Sequence, residues 1–169
     1  MLVGVALAAL VRRPVVPAGL EAVRGPRVFR AGGTPRVREI AATLADTGFV
    51  ARARADGWEI DGRPAEPATA DALRDLCDAL VRLRAVDAFR PRDRATYGLD
   101  RPRGTITLHT ARGTRRLVLG DLNAAGSAVY ARRDADPRVM QVGTQLLSQL
   151  ERVLYHRDRS RPRDTGPRG

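Results

Sequence analysis

The spacing of apolar and polar positions changes several times along the chain, and each change marks an element. Phe49, Ala51 and Ala53 alternate with Val50, Arg52 and Arg54, the two-residue period of a strand with one buried face. Asp56-Gly57 then precedes Trp58-Glu59-Ile60, and such a pair favours a tight hairpin because both residues tolerate positive φ. Asp46-Thr47-Gly48 is a turn, and the stretch before it fits two periods. Val37, Ile40, Ala41 and Leu44 have helical spacing behind Thr34-Pro35, whereas Arg38, Ile40, Ala42 and Leu44 alternate as a strand would. The local pattern leans to the helix.

Asp61-Gly62-Arg63-Pro64 closes the hairpin. Thr69 is placed as an N-cap with Asp71 in the first turn, and Leu73, Leu76, Cys77, Leu80 and Leu83 recur at three- and four-residue steps to about Arg84, which predicts an amphipathic helix. Cys77 falls on the apolar side of that helix. An inert thiol is therefore expected, since a reactive one needs exposure and a lowered pKa. Val86 to Arg90 reads as a short strand, Arg94 to Tyr97 as one helical turn ended by Gly98, and Pro102 bars any continuation. The remainder is a meander. Ile106, Leu108 and Thr110 alternate, Ala111-Arg112-Gly113 turns the chain, and Arg115, Leu117 and Leu119 resume the alternation. Ser127 to Arg132 and Val139 to Val142 are two more strands around Asp134-Ala135-Asp136-Pro137, and Thr144 opens a helix whose buried stripe is Leu146, Leu147, Leu150, Val153 and Leu154.

The fold class this predicts is α+β: a mostly antiparallel sheet, made of an N-terminal hairpin and a C-terminal four-strand meander, packed with two main amphipathic helices over residues 34–155. Outside that domain the composition shifts. Met1 to Val11 has no charge and is followed by Arg12, Arg13 and Pro14. Crossing a bilayer takes about 20 apolar residues, so residues 1–14 read as the end of a membrane anchor, with a short terminal helix docked on the domain as the alternative. Residues 15–33 are rich in Pro and Gly and read as a linker, and residues 156–169 as a disordered Arg- and Pro-rich tail.

Composition sharpens this in two ways. With 169 residues there is room for one core, but 26 of the residues are Ala and only seven are aromatic, so each buried position removes modest area from water. The net charge of +11 comes entirely from 30 arginines, without a single lysine. Arg24, Arg52, Arg74, Arg103 and Arg132 fall in different elements, and Phe29, Phe49, Trp58 and Phe89 read as core residues. A nucleic-acid surface usually gathers its charge and interleaves aromatics with it, so dispersed surface charge is the expectation and nucleic acid an unexpected partner.

A particular order of landmarks carries a resemblance. Gly57-Trp58-Glu59-Ile60, the helix Ala72-Leu73-x-x-Leu76-x-x-x-Leu80, Tyr97-Gly98-Leu99-Asp100-Arg101-Pro102, Leu117-Val118-Leu119-Gly120 and Ala128-Val129-Tyr130-Ala131-Arg132 together resemble the bacterial domain-of-unknown-function 4340 family over about Arg36 to Tyr155. The resemblance implies an α+β domain behind an N-terminal membrane helix, periplasmic in placement, in relatives found beside gliding-motility or export ABC transporter components. It also implies that Arg38 to Leu44 is a strand paired with Phe49 to Arg54. The family supplies no catalytic residue to carry over. Trp58, Tyr97, Gly98, Leu99, Asp100, Pro102, Gly120 and Tyr130 form its structural signature here. From the residues themselves, Gly98 can take positive φ, Leu99 can plug the core, Asp100 can accept backbone N–H groups and Pro102 can fix the approach to the next strand.

No catalytic motif stands out. His109 and His156 are the two histidines and Cys77 the one cysteine, too few for a metal site of the usual donors. Glycine-rich dinucleotide and phosphate loops and the Gly-x-Ser-x-Gly elbow are missing from the sequence. Asp134 and Asp136 flank a turn, where acids are common for turn-forming reasons. A candidate anion contact is formed by Arg103, His109 and Arg116, if they share a sheet face. The expectation is a non-catalytic module without cofactor or metal, a membrane or envelope protein as partner, and membrane contact through residues 1–11; the alternative is a basic nucleic-acid or anionic-surface binding protein that uses the dispersed arginines and the tail.

Overall fold

In the computed structural model, which describes residues 25–29 and 36–161, the two-residue periods become strands of one continuous sheet. The elements are β1 (Val37–Leu44), β2 (Thr47–Ala53), β3 (Trp58–Ile60), β4 (Arg63–Pro64), α1 (Pro67–Arg82), β5 (Asp87–Phe89), a 3₁₀ turn (Ala95–Tyr97), β6 (Gly104–Thr110), β7 (Gly113–Leu122), β8 (Ala128–Arg133), β9 (Val139–Gly143) and α2 (Gln145–Arg159). The strand order is β4-β3-β2-β1-β6-β7-β8-β9-β5, and every pairing is antiparallel. The expected α+β class is present. The hairpin and the meander are not separate bodies: β1 pairs with β2 on one side and with β6 on the other. Both sheet edges are short, two residues including Pro64 in β4 and three in β5, which limits strand addition.

β1 settles the ambiguous stretch. Ile40 lies opposite both Ala51 and Leu108, and Ala42 opposite both Phe49 and Ile106, so β1 is a central strand whose Ile40 and Ala42 side chains enter the core. Helical spacing in a short segment loses to pairing on both flanks. The two helices cover this face. Leu73, Leu76 and Leu80 of α1 and Leu146, Leu147, Leu150, Val153 and Leu154 of α2 join Ile40, Phe49, Ile106, Leu117, Val129 and Val142 in one cluster.

Two boundaries and one cap differ from the sequence expectation. α1 starts at Pro67, two residues before Thr69, with Glu66 at the cap position and no side-chain cap. Pro at N1 replaces the expected Thr69 cap because its fixed φ suits the first turn and its missing N–H is not needed there. Thr69 is instead fully buried within the helix. Thr144 occupies the cap position of α2 but makes no side-chain cap hydrogen bond. α2 runs to Arg159, past the expected end at Tyr155, because Arg157 is a structural residue: it is 5% exposed. Its guanidinium donates to the Gly48 carbonyl through Nη1, to Thr47 Oγ1 at 3.0 Å through Nη2, and to Asp158 Oδ1 at 2.8 Å through Nε. The end of α2 is thereby fastened to the start of β2. Residues 1–14, most of the 15–33 linker and residues 162–169 lie outside the described residues.

Candidate functional site: the face opposite the helices

Glu39, Ala41 and Thr43 of β1 and their neighbours point away from the helices, whereas Val37, beyond a register shift, joins the main core, and the chain treats this second face in two ways. Over β7, β8, β9 and β5 the segment between β5 and β6 folds across it. Leu99, Val118 and Val139 form a small second core with Phe89, Tyr97 and Tyr130 packed against it. The Tyr97 ring meets Phe89 and Tyr130 edge-on, with centroids 5.3 Å and 4.8 Å apart. Two glycines allow this clasp. Gly98 has φ +69 and ends the 3₁₀ turn, a left-handed conformation that a Cβ penalises. Gly120 on β7 lies directly under the Tyr97 carbonyl, where a Cβ would stand 2.0 Å from the oxygen.

Five of the eight signature residues therefore come together around this clasp, and three do not. Tyr97, Gly98, Leu99, Gly120 and Tyr130 build it, and Leu99 is 6% exposed. Trp58 lies on the other face, half-buried at the start of β3 against the main core. Asp100 and Pro102 are exposed. No hydrogen bond from backbone N–H to Asp100 is formed among the described residues.

Over β3, β2, β1, β6 and the start of β7 the second face is uncovered among the described residues. One row of side chains crosses five strands in register: Glu59 opposite Arg52, Arg52 opposite Glu39, Glu39 opposite His109, and His109 opposite Thr114. Arg52 Nε donates to Glu39 Oε2 at 2.6 Å, Arg54 Nη2 donates to Glu59 Oε2 at 2.8 Å, and His109 Nε2 is 3.7 Å from Glu39 Oε1. The Thr114 hydroxyl and His109 Nδ1 are 2.9 Å apart. Charges opposite one another across a sheet hold the strands in register. Beside this row lie the small side chains of Ala41, Thr43, Thr105 and Thr107, with Val50 36% exposed next to them. Thr43 and Thr105 link β1 to β6 through hydroxyl oxygens 3.0 Å apart.

Of the three candidate anion contacts, two share this face. Arg116 lies opposite Thr107, two positions along β6 from His109. Arg103 sits before β6, six residues from His109, which at strand rise separates them by about 20 Å. It lines a shallow groove of about 350 Å³ with Leu44, Thr47 and Leu154. His109 already faces Glu39. The trio is thus divided, and its histidine belongs to the row.

Titratable groups elsewhere are held in structural pairings. The Cys77 thiol is pushed up to about 12, chiefly by burial and then by Asp78, so it stays protonated and unreactive. Asp136 accepts from Arg138 Nε at 3.1 Å and Nη2 at 2.9 Å and from Arg133 Nη2 at 3.0 Å. The hydrogen bonds from Arg138 hold its carboxyl well below the usual carboxylate range. Asp134 Oδ1 accepts from the Arg116 backbone N–H at 2.7 Å, so both acids serve the β8–β9 turn, as their sequence context suggested. Among the described residues no group of three or more His, Cys, Asp and Glu is placed to hold a metal, and no helix is long and apolar enough to cross a membrane. A groove of about 530 Å³ lies where Arg82 and Leu83 at the end of α1 meet Gln145 and Leu146 at the start of α2.

The buried Arg157, the Asp136 cluster and the five-strand row escaped the sequence. The only advance signal of the row was charge alternating with apolar residues at period two in β1 and β2, which gains meaning only once strand partners are known. Comparison with known proteins returned no match among curated proteins and none among solved structures. A family model does match residues 58–156. That span starts at Trp58 and encloses α1, the clasp, Gly120, Tyr130 and nearly all of α2, which makes the chain a member of the family described as Domain of unknown function (DUF4340).

Proposed function

We propose that the chain is a non-catalytic binding domain of the membrane or envelope, placed on the periplasmic side, where it docks a protein partner as an auxiliary component of a transporter-linked complex. The observation that carries this reading is the half of the second sheet face left uncovered among the described residues. The charges of its central row are paired with one another, so a partner settling over that row leaves no isolated ion to desolvate. Its centre is flat, with small side chains at Ala41, Thr43, Thr105 and Thr107 that let a partner backbone approach closely. His109, the side chain with the readiest proton chemistry, stands between Glu39 and Thr114 on an open surface and not in a cleft, which supports recognition over catalysis.

The test is a photo-reactive residue placed at Val50 or Thr107 in the full chain, activated in the native cell. Adducts to a transporter subunit from both positions, retained at high salt, and none from Arg74 on the outer side of α1, are the expected result. Equal adducts from Arg74 and Val50, or none from either face position, would refute docking through this face.

A further inference from the structure

The arginines look scattered along the sequence, but the topology collects them. Strands β1, β3, β7 and β9 start, and β2, β6 and β8 finish, at the same end of the sheet. The segments of these seven strands meeting there are residues 36–39, 52–59, 109–116 and 132–139. They hold ten arginines against five carboxylates, a net charge of +5 with His109 counted neutral. The strand ends and turns at the other end, residues 43–48, 60–63, 103–105, 119–128 and 142–145, hold two arginines against three carboxylates. Five arginines at the basic end, Arg36, Arg38, Arg112, Arg115 and Arg116, are exposed, and among the described residues none has a carboxylate partner.

We infer that this end of the sheet is a docking surface for an anionic lipid bilayer. Like charges gathered at one end cost self-repulsion, which a surface of phosphate headgroups relieves, and clustered basic residues bind such a surface additively. Two features select lipid over nucleic acid. Phe49, Phe89, Tyr97 and Tyr130 pack into the two cores, while at the basic end Trp58 is half-buried against the main core and the His109 ring is held between Glu39 and Thr114, so no free ring stands there on which a base stacks. The uncharged stretch Met1 to Val11 lies 14 residues before Gly25, a spacer of up to about 45 Å if extended, enough to hold the domain against a membrane that receives that stretch. Fixed in this way, the sheet stands on its basic end with its uncovered face turned sideways. The inference goes beyond the docking reading and does not depend on it: protein adducts at Val50 and lipid binding at the basic end succeed or fail separately.

The experiment is flotation of the full chain with vesicles of phosphatidylcholine alone and with about 30% phosphatidylglycerol. One variant carries Arg36, Arg38, Arg112, Arg115 and Arg116 all changed to Gln. A control carries five exposed arginines from elsewhere, Arg63, Arg74, Arg82, Arg103 and Arg159, changed to Gln, so both have the same net charge. Any contribution of the apolar stretch appears equally on neutral vesicles. The expected result is preferential partition onto anionic vesicles that weakens steeply as salt rises, falls about fivefold per arginine in the first variant, and changes less than about threefold in the control. Equal loss in both variants, equal partition onto neutral and anionic vesicles, or displacement by duplex DNA at matched phosphate concentration would overturn it. Unchanged circular dichroism of both variants establishes that folding is not the cause.

Discussion

A methyl group at position 120 would stand 2.0 Å from the Tyr97 carbonyl oxygen and 3.1 Å from Leu99 Cδ2. Ordinary carbon–oxygen contact needs about 3.2 Å or more, and backbone cannot swing aside as a side-chain tip can. Gly120→Ala therefore lifts the 3₁₀ turn by about 1 Å or more and loosens Leu99, Tyr97 and the edge-on contacts of Tyr97 with Phe89 and Tyr130. Partial exposure of one leucine and loss of two aromatic contacts are worth about 2–4 kcal/mol together. Urea unfolding followed by Trp58 fluorescence gives the stability change, and near-UV circular dichroism reports the tyrosine packing. Gly143→Ala is the control, since nothing lies within 4 Å of its Cβ position, and a loss below about 0.5 kcal/mol is expected there. A Gly120→Ala protein as stable as this control, with an unaltered tyrosine signal, would refute the clasp.

Arg157→Leu removes the guanidinium from Gly48, Thr47 and Asp158 and should cost about 2–4 kcal/mol in urea unfolding, together with faster hydrogen exchange at the start of β2; a loss under about 1 kcal/mol would contradict its structural role. The Asp136 carboxyl has its pKa lowered by folding, so its stabilisation is complete above the unfolded value of about 4 and is lost as pH falls through the folded value. Asp136→Asn should therefore destabilise by about 1.5–3 kcal/mol at neutral pH, and the gap to wild type should narrow in unfolding curves taken progressively below about pH 4; a gap that does not change with pH would contradict this. The Cys77 thiol, raised to about 12 by burial, stabilises the fold fully below its unfolded pKa and loses that contribution as pH rises through the folded value. It should resist alkylation at about pH 8 in folded protein and react fully in urea, and rapid labelling of native protein would show that the site is open.

Most of the fold was legible because most strands alternate cleanly and both helices carry a leucine stripe. The Tyr97-Gly98-Leu99 corner was legible too, since positive φ at Gly98 and an apolar plug at Leu99 are local requirements. What could not be read was whatever depends on strand neighbours. Arg52, Glu39, Glu59 and His109 are separated along the chain and become one row only through the pairing of β1 with β2 and β6. The same pairing turns scattered arginines into a basic end. β1 itself was ambiguous because a central strand with alanines has little amphipathic contrast. Arg157 looked like part of a polar tail because its burial is set by the β1–β2 hairpin more than 100 residues away.

Everything said of the uncovered face and of the basic end follows from β1 lying beside β6. Thr43 and Thr105 face each other there with hydroxyl oxygens 3.0 Å apart. Replacing both with cysteine in a Cys77→Ala background tests the pairing, because a disulfide forms only between backbones already at cross-strand distance. Mild oxidation of the native protein should give one intramolecular disulfide by mass spectrometry, with the far-UV spectrum unchanged. Free thiols persisting in the folded protein, or a bond formed only after unfolding, would contradict the continuous sheet and with it the face and the charge pattern built on it.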